Sequence, residues 1–199
     1  MAPELASRIR RPSWRDPRLG IGIVLVALSV ALGAWAVASA GRTVPVWAAS
    51  RTITPGEPLA GAIVAVEVSP TIESRYLSAL ETPTGVADRV VGAGELVPAS
   101  AVVAPETLDI RTVVVSAEGQ LSPAVVAGSR VDVWLSPKDG SPSHLVMEDV
   151  VVRSLVENSG AFTSRGRDVE LVLDSARVGE VISAMSDGGA MVIVPRSGD

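Results

Sequence analysis

From Leu19 to Gly41 the chain runs through 23 consecutive uncharged positions dominated by Ile, Val, Leu and Ala, with Ser29 and Ser39 as the only hydroxyl side chains. At 1.5 Å per residue a helix of that length reaches roughly 34 Å, enough to cross a hydrocarbon core of roughly 30 Å. A helix buried in a soluble core normally keeps a polar face, and this one has none. The pattern therefore predicts a transmembrane helix over 19–41.

Beyond Gly41 the pattern changes to short strands punctuated by turns. Thr43 to Leu59 reads as a strand entering a turn at Pro55-Gly56, and a turn of the same kind recurs at Gly92–Pro98. Setting Arg51 over Arg89, an offset of 38, also superposes Gly56 on Gly94, Glu57 on Glu95, Ile53 on Val91 and Ile63 on Ala101. Two related β units are expected, each Gly permitting the positive φ of a tight turn. Between them, Pro70 to Leu80 predicts a loop and a short helical turn with Tyr76, Leu77 and Leu80 on its apolar side.

After a short Pro105-Glu-Thr linker, Ile110 to Val115 begins a further apolar run. Arg130 to Leu135 alternates with period two, placing Val131, Val133 and Leu135 on one face and Arg130, Asp132 and Trp134 on the other. Lys138 to Ser143 reads as a turn, Leu145 to Val156 as a bent strand, and Gly160 to Gly166 as a loop. Val169 to Leu173 then predicts a strand, Asp174 a helix N-cap, and Val178, Val181, Ile182 and Met185 a helix stopped by Gly188-Gly189. Ala190 to Val194 returns as a strand. The expected fold is mainly β with a small α+β C-terminal segment and one N-terminal transmembrane helix. The divisions are 1–18 (basic tail), 19–41 (helix), 42–105 (first β module) and 106–199 (C-terminal segment).

Charge fixes the expected orientation. Residues 1–18 carry five arginines against Glu4 and Asp16, a net of +3, and the remaining 12 basic and 20 acidic side chains give −8. Such a tail belongs in the cytoplasm, with the C-terminal region outside it. Trp14 and Trp47 flank the segment where indoles settle at headgroup level. Ala38-Ser39-Ala40 carries the small-x-small pattern of a signal-peptidase site, so a cleaved signal is the alternative. The apolar run exceeds the roughly 7–15 residues of a signal h-region, which favours an uncleaved signal anchor. An exported region this acidic has no electrostatic footprint for nucleic acid. The absence of cysteine excludes disulfides and thiolate metal sites.

Candidate chemistry is sparse. His144 is the sole histidine and lies beside a Ser-Pro loop, without a second histidine for a metal pair. Asp132, Asp168 and Asp174 read as a polar strand position, a strand opening and a helix cap rather than a carboxylate cluster. Glu57 and Glu95 recur because repeated units repeat their turn chemistry. Gly92-x-Gly-x-x-Val97 lacks the third glycine and the following helix of a dinucleotide loop. Ser29-x-x-x-Gly33 permits helix pairing, and so self-association. No catalytic, cofactor-binding or metal-binding residue is assigned, and the chain reads as non-enzymatic.

The run from Val44 to Val103 opens with Ala-x-Arg-x-Ile-x-Pro-Gly-Glu-x-Leu and closes with Val-Gly-Ala-Gly-Glu-Leu-Val-Pro-Ala-Ser-Ala-Val. It resembles the SAF domain, a β-clip module found in antifreeze-like proteins, sialic acid synthases, sugar-acid dehydratases, the flagellar P-ring chaperone and Flp/Tad pilus assembly proteins of the CpaB/RcpC type. The Gly-Ser-Arg-Val-Asp-Val run from Gly128 and the strand, helix, strand ending resemble the segment that follows SAF in the pilus proteins. The resemblance implies a bacterial cell-envelope scaffold in the cytoplasmic membrane that binds protein partners of a pilus or secretion apparatus. The chain is shorter than the larger family members and lacks their extended tail. Two other functions are implied by SAF relatives: cell-wall polysaccharide binding, for which the exported part offers Trp47, Tyr76, Trp134 and Phe162, and a cleaved, soluble chaperone.

Overall fold

The computed structural model describes residues 17–156 and 167–196; the tail with Trp14 and the expected loop Gly160–Gly166 with Phe162 lie outside them. By its contacts the chain divides into Met1–Thr43 and Val44–Asp199.

Among the described residues the first unit holds one helix, α1 (Pro17–Ala40), apolar on every side beyond Arg18. Its large apolar side chains from Leu19 to Val37 are 43–75% exposed within the protein, so no protein core accounts for its hydropathy. It is long and apolar enough to cross a membrane.

The second unit is built mostly of strands around two hydrophobic cores. In its first part β1 (Val44–Ala49) pairs antiparallel with β2 (Ile63–Val68), and the two-residue strands β3 (Val86–Ala87) and β4 (Val102–Val103) pair with each other. The sequence offset of 38 reappears as reciprocal hydrogen bonding. Ile53 and Val91 exchange N–H to carbonyl bonds, both 2.9 Å. On one side Gly56 donates to Ala87 (2.8 Å) and Ala87 to Glu57 (3.1 Å); on the other Gly94 donates to Ala49 and Ala49 to Glu95, both 2.8 Å. Exchanging each residue for its repeat mate turns one set into the other, the signature of a local two-fold axis between Ile53 and Val91. Both side chains are fully buried there, together with the mates Leu59 and Val97.

Two expectations need correction in this part. The helical turn before Leu80 shrinks to a single 3-10 turn at Glu73–Arg75. Residues 76–78 run extended instead: Trp47 donates to Leu77 and Leu77 to Val97, and Ala79 in the following turn donates to Pro45. Strand alternation then sends Leu77 into the core and leaves Leu80 77% exposed. Trp47 also serves the fold rather than standing free, with its ring against the same core and Nε1 donating to the Glu81 carbonyl at 3.2 Å.

The second part is a small closed barrel. Its strands β5 (Ile110–Ala117), β6 (Arg130–Ser136), β7 (His144–Val156), β8 (Arg167–Asp174) and β9 (Ala190–Pro195) follow the order β5-β8-β7-β6-β9. A parallel contact of Ala117 with Met191 closes the ring. Val131, Val133 and Leu135 point inward, as their alternation predicts, and meet Val115, Met147, Leu171 and Ile193. Each such side chain removed from water contributes about 1.5–3 kcal/mol. The helix α2 (Val178–Ser186) adds Val181 and Ala184 to this core.

Asp174 ends β8 opposite Ile110 and holds the N-cap position of a 3-10 turn, Ser175–Arg177, that runs directly into α2, whose own N-cap position falls to Arg177; no side-chain cap bond forms at either. The Ser175 N–H goes to the Asp109 carbonyl.

Candidate interaction surface

Glu57 and Glu95 are the clearest case of sequence chemistry realised in space. Each carboxylate folds back on its own turn: Glu57 Oε2 accepts from the Thr54 N–H at 3.0 Å and Glu95 Oε2 from the Gly92 N–H at 2.8 Å. Because 54 and 92 are again repeat mates, the two glutamates do the same structural work on opposite sides of the two-fold axis. Glu57 has more, since the Thr54 hydroxyl donates to it at 3.2 Å and Arg51 forms an ion pair with it. Burial opposes its ionisation, but the Thr54 N–H, Arg51 and the Thr54 hydroxyl outweigh burial and hold its pKa below the ordinary 4.5.

A carboxyl whose pKa falls on folding stabilises the native state above its ordinary value, and that contribution is lost as pH drops through the lowered one. Glu57→Gln should therefore cost roughly 1 kcal/mol at neutral pH, and the difference from wild type should narrow as pH falls below the ordinary 4.5 and through the lowered value. Thermal melting followed from neutral pH down through that range checks this. A deficit that stays constant throughout would show that the carboxylate charge is not what the turn uses.

The remaining candidates are dispersed. His144 is exposed at the start of β7, opposite Leu135. Asp168 lies near the start of β8 and accepts from the Ser116 hydroxyl, while Asp174 ends the same strand. Asp132 belongs to a surface network that the sequence did not reveal. Its Oδ1 accepts from the Asp149 N–H at 2.9 Å, Arg130 pairs with Asp149 at 2.7 Å, and Arg196 lies 3.6 Å from Asp149 and 3.8 Å from Asp132. Asp149 occupies positive φ (58°) where β6 and β7 slip register, a conformation that Asp tolerates better than most residues. Among the described residues no three His, Cys, Asp or Glu side chains gather where they could hold a metal ion.

Three features of the surface present unpaired backbone, apolar or charged groups. The first is the outer edge of β2. Since Ser50 donates to the Ala62 carbonyl, antiparallel alternation turns Val64, Val66 and Val68 toward β1 and directs the backbone groups of Ile63, Ala65 and Glu67 outward. β2 has no second neighbour among the described strands, so it can accept an added strand. The second is the outside of the barrel, where Trp134 stands between Leu145 and Val192 on the adjoining strands.

The third feature is a cleft of about 510 Å³ between the two-fold module and the barrel. Arg51, Thr52 and Glu57 line it from the module, and Val126, Ala127, Arg153, Ser154 and Glu170 from the barrel. The loop before β6 forms one wall and is tied to itself, with the Ser129 hydroxyl donating to the Val126 carbonyl at 2.7 Å. Arg153 escapes sequence reading altogether, because β7 skips a residue against β8 there. Val152 faces Leu171 and Ser154 faces Glu170, leaving Arg153 as the extra residue of a bulge. None of the cleft residues is aromatic, which removes the stacking platform a sugar site would use. Compared with protein-family models, with curated proteins and with solved structures, the chain matches none.

Proposed function

We propose that this protein is a non-enzymatic, membrane-anchored assembly factor of the Flp/Tad pilus type, in which α1 crosses the cytoplasmic membrane and residues 44–103 form a SAF-like β-clip. One observation carries the reading: a two-fold module built on repeated Pro-Gly-Glu and Ala-Gly-Glu turns follows an apolar helix and precedes a segment ending in strand, helix and strand, the order the resemblance implies. The function is scaffolding. The helix fixes the module at the membrane, and the open edge of β2 offers main-chain hydrogen bonds to a strand of a pilus or secretion component. Polysaccharide binding has less support, since Trp47 is engaged by its own core and carbonyl partner.

Deleting the gene in its native host should abolish surface pilin fibres, and the wild-type gene should restore them. Ala65→Pro should fail to restore them while leaving the protein folded, because it removes an N–H that points away from β1. Undiminished fibres in the deletion strain would end the pilus reading. Full restoration by Ala65→Pro would instead move the contact away from β2.

A further inference from the structure

We propose that the outer edge of β2 pairs with the β2 edge of a second copy of this chain, closing a four-stranded sheet β1-β2-β2-β1 about a two-fold axis. The pairing uses the edge that the scaffold reading offers to a pilus component, so such a strand would enter by displacing the second copy. Self-pairing itself stands without that reading.

The edge is bare. Ile63, Ala65 and Glu67 direct their backbone groups away from β1, and no other described residue bonds them. The usual protections of a sheet edge are missing: β2 holds no proline and no lysine, and its pairing with β1 runs without a bulge. Isoleucine and valines dominate the strand and Glu67 is its one charge, the composition of a segment that pairs readily with its own kind.

The register selects the occupant. About a two-fold axis, the outward-bonding residues of one strand must face those of the other. Placing Ala65 opposite Ala65 of the second copy engages all of them, with Ile63 set against Glu67 of the second copy. Val64, 48% exposed, then lies opposite Val66 of the second copy in a non-hydrogen-bonded pair, where β-branched side chains meet across about 4.5 Å between Cα atoms. The two Glu67 positions fall roughly 14 Å apart, so no like charges face each other.

Growth stops at two copies. The other edge of β1 is already taken, with Trp47 bonded to Leu77 and Val97 and Ala49 to Gly94 and Glu95, so the dimer leaves no open edge in this sheet. A lone strand from another protein would instead carry its own open edge to the outside. The helix α1 is long and apolar enough to hold both copies in one bilayer, which raises their effective concentration and lets a modest interface suffice.

The test uses the full chain in phosphatidylcholine vesicles, with one cysteine added to a sequence that has none. Ala65→Cys and Glu67→Cys both alter exposed positions of β2, so both should keep the parent melting temperature. In the proposed register the Ala65 positions of the two copies lie about 5.5 Å apart at Cα, inside the roughly 4.4–6.8 Å that a disulfide spans, whereas the Glu67 positions lie far outside it. Under mild oxidation Ala65→Cys should therefore run as a covalent dimer on a non-reducing gel and Glu67→Cys as a monomer. Contact through α1 alone would cross-link both variants equally or neither. Either of those results, or a dimer of Glu67→Cys without one of Ala65→Cys, would overturn the assignment, whatever the outcome of the fibre test.

Discussion

Gly128→Ala should lower the melting temperature of the Val44–Asp199 unit by roughly 6–12 °C, the shift that about 3 kcal/mol produces in a unit of this size. Two effects add to that figure. Gly128 sits at φ +85°, where a side chain costs roughly 1 kcal/mol, and a Cβ built there would lie 2.6 Å from Thr52 Cγ2 and 3.0 Å from Val90 Cγ1. Overpacking of that kind costs about 1–3 kcal/mol more. The residues it would strike belong to the two-fold module while Gly128 precedes the barrel, so the substitution forces the two parts open where they approach closely. Its own N–H donates to the Val152 carbonyl at 2.8 Å, which keeps the backbone from moving aside. Gly119→Ala is the control: its φ is +91°, yet no atom lies within 4 Å of the place its new methyl group would take. It should cost only the backbone share, a drop of roughly 2–4 °C. Equal losses at the two sites would mean that the junction is not tightly packed.

What the sequence disclosed and what it withheld divide along the line between local and non-local causes. The offset of 38 was legible because a turn is decided by the few residues within it, and Gly56 with Glu57 repeats as Gly94 with Glu95. The alternation of Val131, Val133 and Leu135 was legible because a half-buried strand imposes period two on its own residues. The placement of Ile53 directly against Val91 was not, although the offset superposes them, since nothing local says that repeat mates pair with each other. The order β5-β8-β7-β6-β9 likewise depends on contacts between distant segments.

The candidate surface was almost entirely hidden. Arg153 reads as one polar position in a long strand until β8 is laid beside it and the register slips. Asp149 looks like an ordinary acidic residue before Val150, and its positive φ and its bonds to Arg130 and Asp132 arise from the pairing of β6 with β7. Asp174 was legible as a helix start, since Asp before an apolar helical pattern is the usual sign of an N-cap, but the 3-10 turn it opens, which delays α2 to Val178, was not.

The largest expected effect concerns topology, where the outcome is all or none. In the proposed arrangement α1 spans the cytoplasmic membrane uncleaved, with the arginine-rich tail inside and the Val44–Asp199 unit outside. A chain with no cysteine allows single thiols to be placed at will. Ser7→Cys marks the tail, and Ser141→Cys marks the exposed loop between β6 and β7. Spheroplasts treated with a membrane-impermeant maleimide should show complete labelling of Ser141→Cys, labelling of Ser7→Cys only after permeabilisation, and a full-length protein that stays with the membrane after an alkaline carbonate wash. Labelling of Ser7→Cys in intact spheroplasts, protection of Ser141→Cys, or a shortened protein released by the wash would contradict that topology.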